Sequence, residues 1–228
     1  MPPDPVHAVT LKCHPETPTD AVRGITARVS RTPRGKLAVT YILDGDLDRL
    51  RVPASRAPRV AGRLWEHTCC EIFIACKGMP AYYEFNLSPS GEWAAYAFNG
   101  YRSQRADEPH ADGLAPEVNV RGTAGMLELD AVIRLDRLSA VHSSSPLSLA
   151  LSAVIEDNDG DLSYWALRHP PGKPDFHHAE AFALHLAPTT RPARAGTPGP
   201  DALHRVGCSP ARRHAPRIPG EPSEGGEG

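Results

Sequence analysis

Polar side chains recur at alternate positions in the strand-like stretches of this chain, and they could hold a small polar ligand. They combine phenol, carboxylate, amide and hydroxyl groups: Tyr82, Glu84, Asn86, Glu128, Asp130, Ser148 and Ser152. Such groups could bind a polyhydroxylated molecule through paired hydrogen bonds. Antiparallel sheets also commonly expose one polar face to water. Because alternation alone predicts that outcome, we favour a solvated face for this set.

Three tryptophans offer apolar rings for stacking. Trp65 lies among charged residues, Trp93 follows a turn, and Trp165 lies near the end of a strand before a proline-rich loop. A tryptophan near a loop can stack on the apolar face of a sugar ring while polar neighbours hold the hydroxyls. We expect Trp93 and Trp165 to lie in the core, and Trp65 to lie either in the core or at a ligand.

The histidines and cysteines lack the spacing of a metal site. His177 and His178 would point to opposite sides of an extended chain, and so would Cys69 and Cys70. No CxxC pair occurs, so we expect no metal. The five cysteines are an odd number without regular spacing, which favours reduced thiols in a cytoplasmic protein.

Hydrolytic chemistry would need two carboxylates across a cleft, and Glu66, Glu71 and Glu84 could supply them if their strands are neighbours. The sequence marks none of them as desolvated. It also contains no GxSxG, phosphate-loop or dinucleotide-binding motif. We therefore expect no enzymatic activity.

The segment from Arg63 to Tyr101 must position most of these groups. Branched and aromatic residues predict strands over residues 71–75, 82–87 and 92–98, with a turn at residues 88–91. Further alternating stretches precede and follow this meander, and residues 158–160 (Asn-Asp-Gly) are a strong hairpin signal. No period of 3.6 persists for three turns. About ten to twelve short antiparallel strands indicate an all-β, immunoglobulin-like or jelly-roll sandwich.

Composition sets the domain limits and the kinds of partner. Residues 1–187 are expected to form the sandwich domain, and the Pro/Arg/Gly-rich residues 188–228 a disordered tail. The formal net charge of −2 gives no footprint for nucleic acid. No apolar run reaches the roughly 18 residues of a membrane span. The N-terminus lacks a secretory signal, which again predicts a cytoplasmic location.

Two motif-bearing stretches, residues 63–74 (RLWEHTCCEIFI) and 83–93 (YEFNLSPSGEW), resemble bacterial DOMON-like domain proteins. The later stretches 151–156, 163–167 and 172–178 agree, so the resemblance runs from Val6 to Leu186. This group is similar to family 9 carbohydrate-binding modules and to haem-binding cytochrome domains. The resemblance implies an immunoglobulin-like sandwich that binds a small ligand, a carbohydrate or sugar derivative first, and catalyses nothing.

The resemblance also suggests where the ligand lies. In the sugar-binding relatives two tryptophans sandwich the ligand; Trp65 matches the first, and Phe176 or Trp165 stands near the second. The ligand-binding residues implied are Trp65, Glu66, His67, Glu84, Asn86, Trp165, Lys173, Asp175, Phe176 and His177. One alternative is a haem-binding electron-transfer domain with Met79 or Met126 as axial ligand. Another is a structural, protein-binding sandwich whose partner the sequence does not identify.

Overall fold

A computed structural model describes residues 5–32, 35–106 and 111–188. The strands found there are β1 (His7–Cys13), β2 (Val22–Arg31), β3 (Lys36–Gly45), β4 (Arg59–Val60), β5 (Cys69–Cys76), β6 (Tyr82–Leu87), β7 (Glu92–Gly100), β8 (Ser103–Gln104), β9 (Glu117–Thr123), β10 (Met126–Arg134), β11 (Leu147–Glu156), β12 (Leu162–Ala166) and β13 (Leu184–Leu186). The helices are α1 (Ala111–Leu114), α2 (Leu135–Leu138) and α3 (Ala140–Ser144), with single 3₁₀ turns at Leu47–Arg49, Leu64–Glu66 and Ala179–Ala181. The all-β class is confirmed.

The strands form one sheet that curls into two layers. Its order is β4-β7-β6-β5-β11-β12-β1-β2-β3-β10-β9, with β13 on β11 and β8 on β7. Strand β1 joins the layers, because residues 7–11 pair with β2 whereas Lys12 and Cys13 pair with β12. We call β4–β8 and β11–β13 the site layer, and β1–β3, β9 and β10 the back layer. The ladders are antiparallel except for the short β4–β7 pair, which is parallel.

The main core lies between the two layers. Alternate positions of β3 and β10 enter it from the back layer, including Leu37, Tyr41, Leu129 and Ile133, each at most 2% exposed. Tyr41 reaches across the core, and its hydroxyl donates to the backbone oxygen of Glu71 on β5 at 2.5 Å. This bond ties the back layer to the strand that carries the site.

The two predicted turns are present, one at residues 88–91 in the meander and one at residues 158–160 in the late hairpin. The amide of Gly91 donates to the backbone oxygen of Ser88 at 2.9 Å, and Gly91 has a φ of 89°. An added Cβ there would lie 3.0 Å from the oxygen of Arg56, so glycine is required for space as well as for φ. Gly160, with a φ of 92°, closes the turn between β11 and β12.

The outer face of the site layer, which points away from the back layer, is also buried. All eight residues of β5 are buried, although a strand with one wet face would alternate. Residues 168–183, which we call the covering segment, pack Phe176 and Ala181 against Phe73, Tyr82 and Ala150. The expectation of a solvated polar face is therefore wrong for Glu84, Asn86 and Ser152, which are 6%, 0% and 1% exposed.

The rest of that polar set lies elsewhere. Glu128 and Asp130 belong to β10 in the back layer, where Arg121 pairs with both carboxylates at 2.8 Å. Ser148 lies at the end of β11 against His185. The predicted set therefore occupies two layers and does not form one surface.

The chain ends its described part in a short strand. This last strand, Leu184–Leu186, follows a 3₁₀ turn at Ala179–Ala181 within the covering segment. The thirteen strands of the described residues exceed the predicted number because β4 and β8 are two-residue edge pairs. Residues 189–228, which contain nearly all of the expected tail, lie outside the described part of the chain. No helix in the described residues is long and apolar enough to cross a membrane.

Candidate functional site

A cavity of about 400 Å³ opens on the outer face of the site layer. Its lining is aromatic around a charged floor: Trp65, Glu71, Glu84, Tyr96, Phe98, Arg102, Gln104, Val154, Tyr164, Pro174, Phe176 and His177. Strands β5, β6, β7, β11 and β12 supply the floor and walls, and the covering segment supplies the last three residues. A concave, mostly aromatic pocket with a few convergent polar groups is the usual form of a small-molecule site.

Two carboxylates form the floor of the cavity. Glu71 on β5 stands opposite Asn86 on β6, and Glu84 on β6 stands opposite Phe73 on β5. The two glutamates are therefore diagonal neighbours on one face of the sheet, a spacing at which long side chains interact. Their exposures are only 3% and 6%.

Neutral groups hold these carboxylates. The Ser152 hydroxyl donates to Glu71 Oε2 at 3.2 Å, and Asn86 Nδ2 donates to Glu84 Oε1 at 2.8 Å. Asn86 Oδ1 is buried and has no hydrogen-bond partner in the described residues. A buried acceptor without a donor is costly, and a bound ligand is one of the groups that can satisfy it.

The carboxyl groups hold protons more tightly than usual. Burial, and next the charge of Glu84, raise the pKa of Glu71 to about 8. Burial raises the pKa of Glu84 to about 7, against the hydrogen bond from Asn86 and the charge of Arg102. Perturbed carboxyls that face a cleft are typical of functional sites.

His177 closes one side of the cavity. Its Nδ1 is 2.8 Å from the Tyr82 hydroxyl, and its Nε2 is 3.7 Å from Glu84 Oε2. The ring packs edge-on against Phe73 and Phe98 at centroid distances of 5.1 and 5.2 Å. Burial, and next the charge of Arg102, lower the pKa of His177 to about 4, so the imidazole is neutral at pH 7.

The covering segment is held by Asp175. Tyr101 Oη donates to Asp175 Oδ2 at 2.7 Å, and Arg102 Nη2 donates to Asp175 Oδ1 at 2.8 Å. The His177 amide also donates to Oδ1 at 3.2 Å. Burial alone would raise the pKa of Asp175, but the bonds from Tyr101 and Arg102 outweigh it and hold that pKa below its usual range. Arg102 thus lines the cavity, and its guanidinium forms its ion pair with Asp175 and not with a floor glutamate.

The mouth of the cavity carries Trp65. The 3₁₀ turn Leu64–Glu66 presents it, after Arg63 turns the chain with a φ of 59°, a conformation uncommon for residues other than glycine. Arg63 and Glu66 pair at 2.6 Å and brace this turn. Trp65 packs edge-to-face on Tyr96 with ring centroids 5.7 Å apart, yet it remains 40% exposed. An exposed ring beside a cavity is available for stacking.

Four predicted site residues line the cavity, namely Trp65, Glu84, Phe176 and His177. Asn86 and Asp175 lie beside it through their bonds to Glu84 and Arg102. The structure therefore brings Trp65 and Phe176 to one cavity, and their role in binding a ligand stays a prediction.

The other four predicted residues lie away from it. Glu66 bonds Arg63 at the surface, and His67 bonds Glu156 at 2.7 Å on a different side of the turn. Lys173 is exposed. Trp165 is 6% exposed in the main core, where its Nε1 donates to Ser163, because Tyr164 and not Trp165 points outward from β12.

Sequence reasoning considered Glu71 only as a carboxylate for hydrolysis, and it missed five other lining residues: Tyr96, Phe98, Arg102, Gln104 and Tyr164. Glu71 carried a usable signal, because it is the one charged residue in the otherwise apolar Cys69–Cys76 strand. Arg102 carried no such signal, since its φ of 51° is seen only in the structure.

The residues present do not fit haem. Met79 and Met126 are 60% and 41% exposed, and neither lines the cavity. Both nitrogens of His177 face protein groups, Tyr82 and Glu84. In the described part of the chain, no group of three or more histidine, cysteine, aspartate or glutamate residues could hold a metal ion.

Comparison with known proteins supports the fold. No protein-family model matches the chain, and no curated protein matches it. A crystal structure of a candidate carbohydrate-binding protein from Bacteroides uniformis is similar, with a TM-score of 0.56 and 17% identity over 77% of this chain and 82% of that one. A family 9 carbohydrate-binding module from Caldicellulosiruptor kristjanssonii with glucose gives a TM-score of 0.45 and 9% identity, covering 68% of this chain and 72% of that one. A structure of a family 9 module from the same organism with cellotriose gives a TM-score of 0.44 and 8% identity, covering 73% of this chain and 75% of that one. The chain thus shares its fold with the B. uniformis protein.

Proposed function

We propose that this chain is a DOMON-like β-sandwich that binds a carbohydrate or sugar derivative in the outer-face cavity and catalyses no reaction. The observation that carries the proposal is the pairing of Trp65, exposed at the mouth over Tyr96, with the buried hydrogen-bonding floor of Glu71 and Glu84. A sugar presents an apolar ring face and a rim of hydroxyls, which is the complement of such a site. The B. uniformis structure adds support from fold alone.

The cavity volume suits one or two sugar rings. About 400 Å³ lies at the lower end of small-molecule pockets. Tyr164 and Phe176, with ring centroids 6.1 Å apart, form a second aromatic wall. The ligand would therefore lie between the Trp65 mouth and this wall, with its hydroxyls toward the floor.

The test is a titration of the full chain with mono- and disaccharides, followed by tryptophan fluorescence and calorimetry. Trp93 and Trp165 are 4% and 6% exposed, so a spectral change on binding would report mainly on Trp65. We expect Trp65→Ala to weaken binding about tenfold, as loss of a stacked aromatic commonly does. Met126→Ala, an exposed residue on the back layer, is the matched control and should bind normally. Unchanged affinity in Trp65→Ala would refute the site.

Glycoside hydrolysis is a second candidate function, favoured by the two buried carboxyls of raised pKa. Binding explains the site better, because a carboxyl of raised pKa serves as an acid whereas the partner must be ionised to act as nucleophile or base. Release of nitrophenol from aryl glycosides, abolished by Glu71→Gln and by Glu84→Gln, would replace binding with hydrolysis.

A further inference from the structure

The floor of the cavity carries two carboxyl groups that no cationic side chain pairs with, beside a buried amide oxygen. Glu71 and Glu84 both line it, and no arginine or lysine of the described residues forms an ion pair with either. Arg102, the one cationic side chain in the lining, has its guanidinium 2.8 Å from Asp175 Oδ1. Ser152 and Asn86, which bond the carboxylates, are neutral. Within the described residues the floor carboxyls therefore have no direct ion pair with an arginine or lysine, and the charge of Arg102 acts on them only at a distance.

Asn86 adds an independent indication. It stands on the outer face directly opposite Glu71 and donates to Glu84, so it adjoins both carboxylates. It is 0% exposed, and its Oδ1 has no partner in the described residues. Three acceptor groups thus share one buried patch, in which each carboxyl group has one neutral donor and Asn86 Oδ1 has none. A hydroxyl brings one donor, whereas an ammonium brings three donors, no acceptor and a positive charge.

We propose that the ligand is an amino sugar, whose protonated amine lies on the Glu71–Glu84–Asn86 floor while its ring stacks at Trp65. This inference rests on the proposed function and narrows its ligand class. The ammonium would take the place of the proton that the carboxyl pair otherwise retains. Stacking and charge recognition then come from opposite ends of the cavity, the exposed mouth and the buried floor.

The experiment compares four ligands on the full chain by calorimetry at about pH 6.5, where a sugar amine is protonated. The ligands are glucosamine, glucose, N-acetylglucosamine and cyclohexylamine. We expect glucosamine to bind about tenfold or more tightly than glucose and N-acetylglucosamine, since only it can form the buried charge pairs. We expect Glu71→Gln and Glu84→Gln to remove that advantage while weak binding of glucose persists.

The control variant is Glu128→Gln, which removes a glutamate from the back layer and should leave all four affinities unchanged. Equal binding of the three sugars would overturn the amine inference and leave the carbohydrate proposal standing. Binding of cyclohexylamine with no binding of any sugar, glucosamine included, would refute both the amino sugar and the carbohydrate proposal and point to a non-sugar amine. No binding of any ligand would refute both. Thermal stabilisation by Ca²⁺ alone, lost in Glu84→Gln, would replace the amine by a metal ion.

Discussion

An ion pair between Arg102 and Asp175 joins the β7–β8 turn to the covering segment, with 2.8 Å between Arg102 Nη2 and Asp175 Oδ1. Asp175 also accepts from the Tyr101 hydroxyl and from the His177 amide. One carboxylate therefore fixes both the loop that closes the cavity and the histidine that forms its side. No strand includes residues 168–178, so this contact holds them together with the hydrogen bonds of His14 to Gly172, His169 to Lys12 and Tyr82 to His177.

Asp175→Asn should loosen the covering segment more than it destabilises the fold. The amide loses the charge and one acceptor, and because Arg102 is 53% exposed we expect a cost of only about 1 kcal/mol in unfolding free energy. Hydrogen exchange should accelerate at residues 172–178 and remain slow in β5. The control Asp44→Asn removes the exposed pair with Arg23 in the back layer. If exchange in the covering segment stays unchanged in Asp175→Asn, Asp175 does not hold it.

The two floor carboxyls should make stability fall as pH rises. Their folded pKa values, about 8 and about 7, exceed the roughly 4.3 of an unfolded glutamate, so the native state binds more protons. Their contribution is full below pH ~4.3 and is lost as pH rises through 7 to 8. We expect Glu71→Gln to be more stable than the parent at pH 8, by on the order of 1–2 kcal/mol.

Denaturant unfolding of the parent, Glu71→Gln and Glu84→Gln at about pH 5 and pH 8 checks this sign. The parent should lose stability between the two values and each variant should lose less. Glu128→Gln should follow the parent, since its carboxylate pairs with Arg121 at the surface. A parent whose stability rises from pH 5 to pH 8 in parallel with both variants would contradict burial of the pair.

His177 should dominate the change of folding stability with pH on the acid side of neutrality. Its folded pKa of about 4 lies below the roughly 6.5 of an unfolded histidine, so the unfolded state binds the extra proton. Its contribution is present above pH ~6.5 and is lost as pH falls toward 4. His177→Asn should flatten this limb, whereas His7→Asn on β1 should not. Chemical-shift titration of the imidazoles gives the direct measurement, and an ordinary titration midpoint for His177 would contradict its buried position.

The strands of the site were predictable because their signals are local. In β6, Tyr82, Glu84 and Asn86 alternate with Tyr83, Phe85 and Leu87, and this period of two assigned the faces correctly. Trp65 was expected either in the core or at a ligand, and the structure places it 40% exposed beside the cavity. The alternation could not predict which face of the sheet is exposed to solvent, since that depends on which segments cover the sheet.

The covering contact is long-range and irregular. Tyr82 and His177 are 95 residues apart in sequence, and the segment that carries His177 has no period that would predict its docking. Trp165 lies in the main core, as its position in the strand predicted, and only the family resemblance had placed it among the ligand-binding residues. Ser163, which shares a face with Trp165, accepts its indole N–H there.

Tyr41→Phe should test the link between the core and the site. The hydroxyl is fully buried, and its bond to the Glu71 backbone oxygen is 2.5 Å long, so removal leaves a buried carbonyl without this donor. We expect a loss of about 1–3 kcal/mol in unfolding free energy. Tyr83→Phe is the matched control: its hydroxyl donates to the Leu138 oxygen at 3.1 Å from a half-buried position, where water can replace it at small cost. Urea unfolding gives both values.

The same two variants should also differ in ligand binding. Because the freed carbonyl belongs to Glu71, Tyr41→Phe should weaken ligand binding, whereas Tyr83→Phe should not. Equal effects of the two variants on both measurements would show that the core bond does not position the floor.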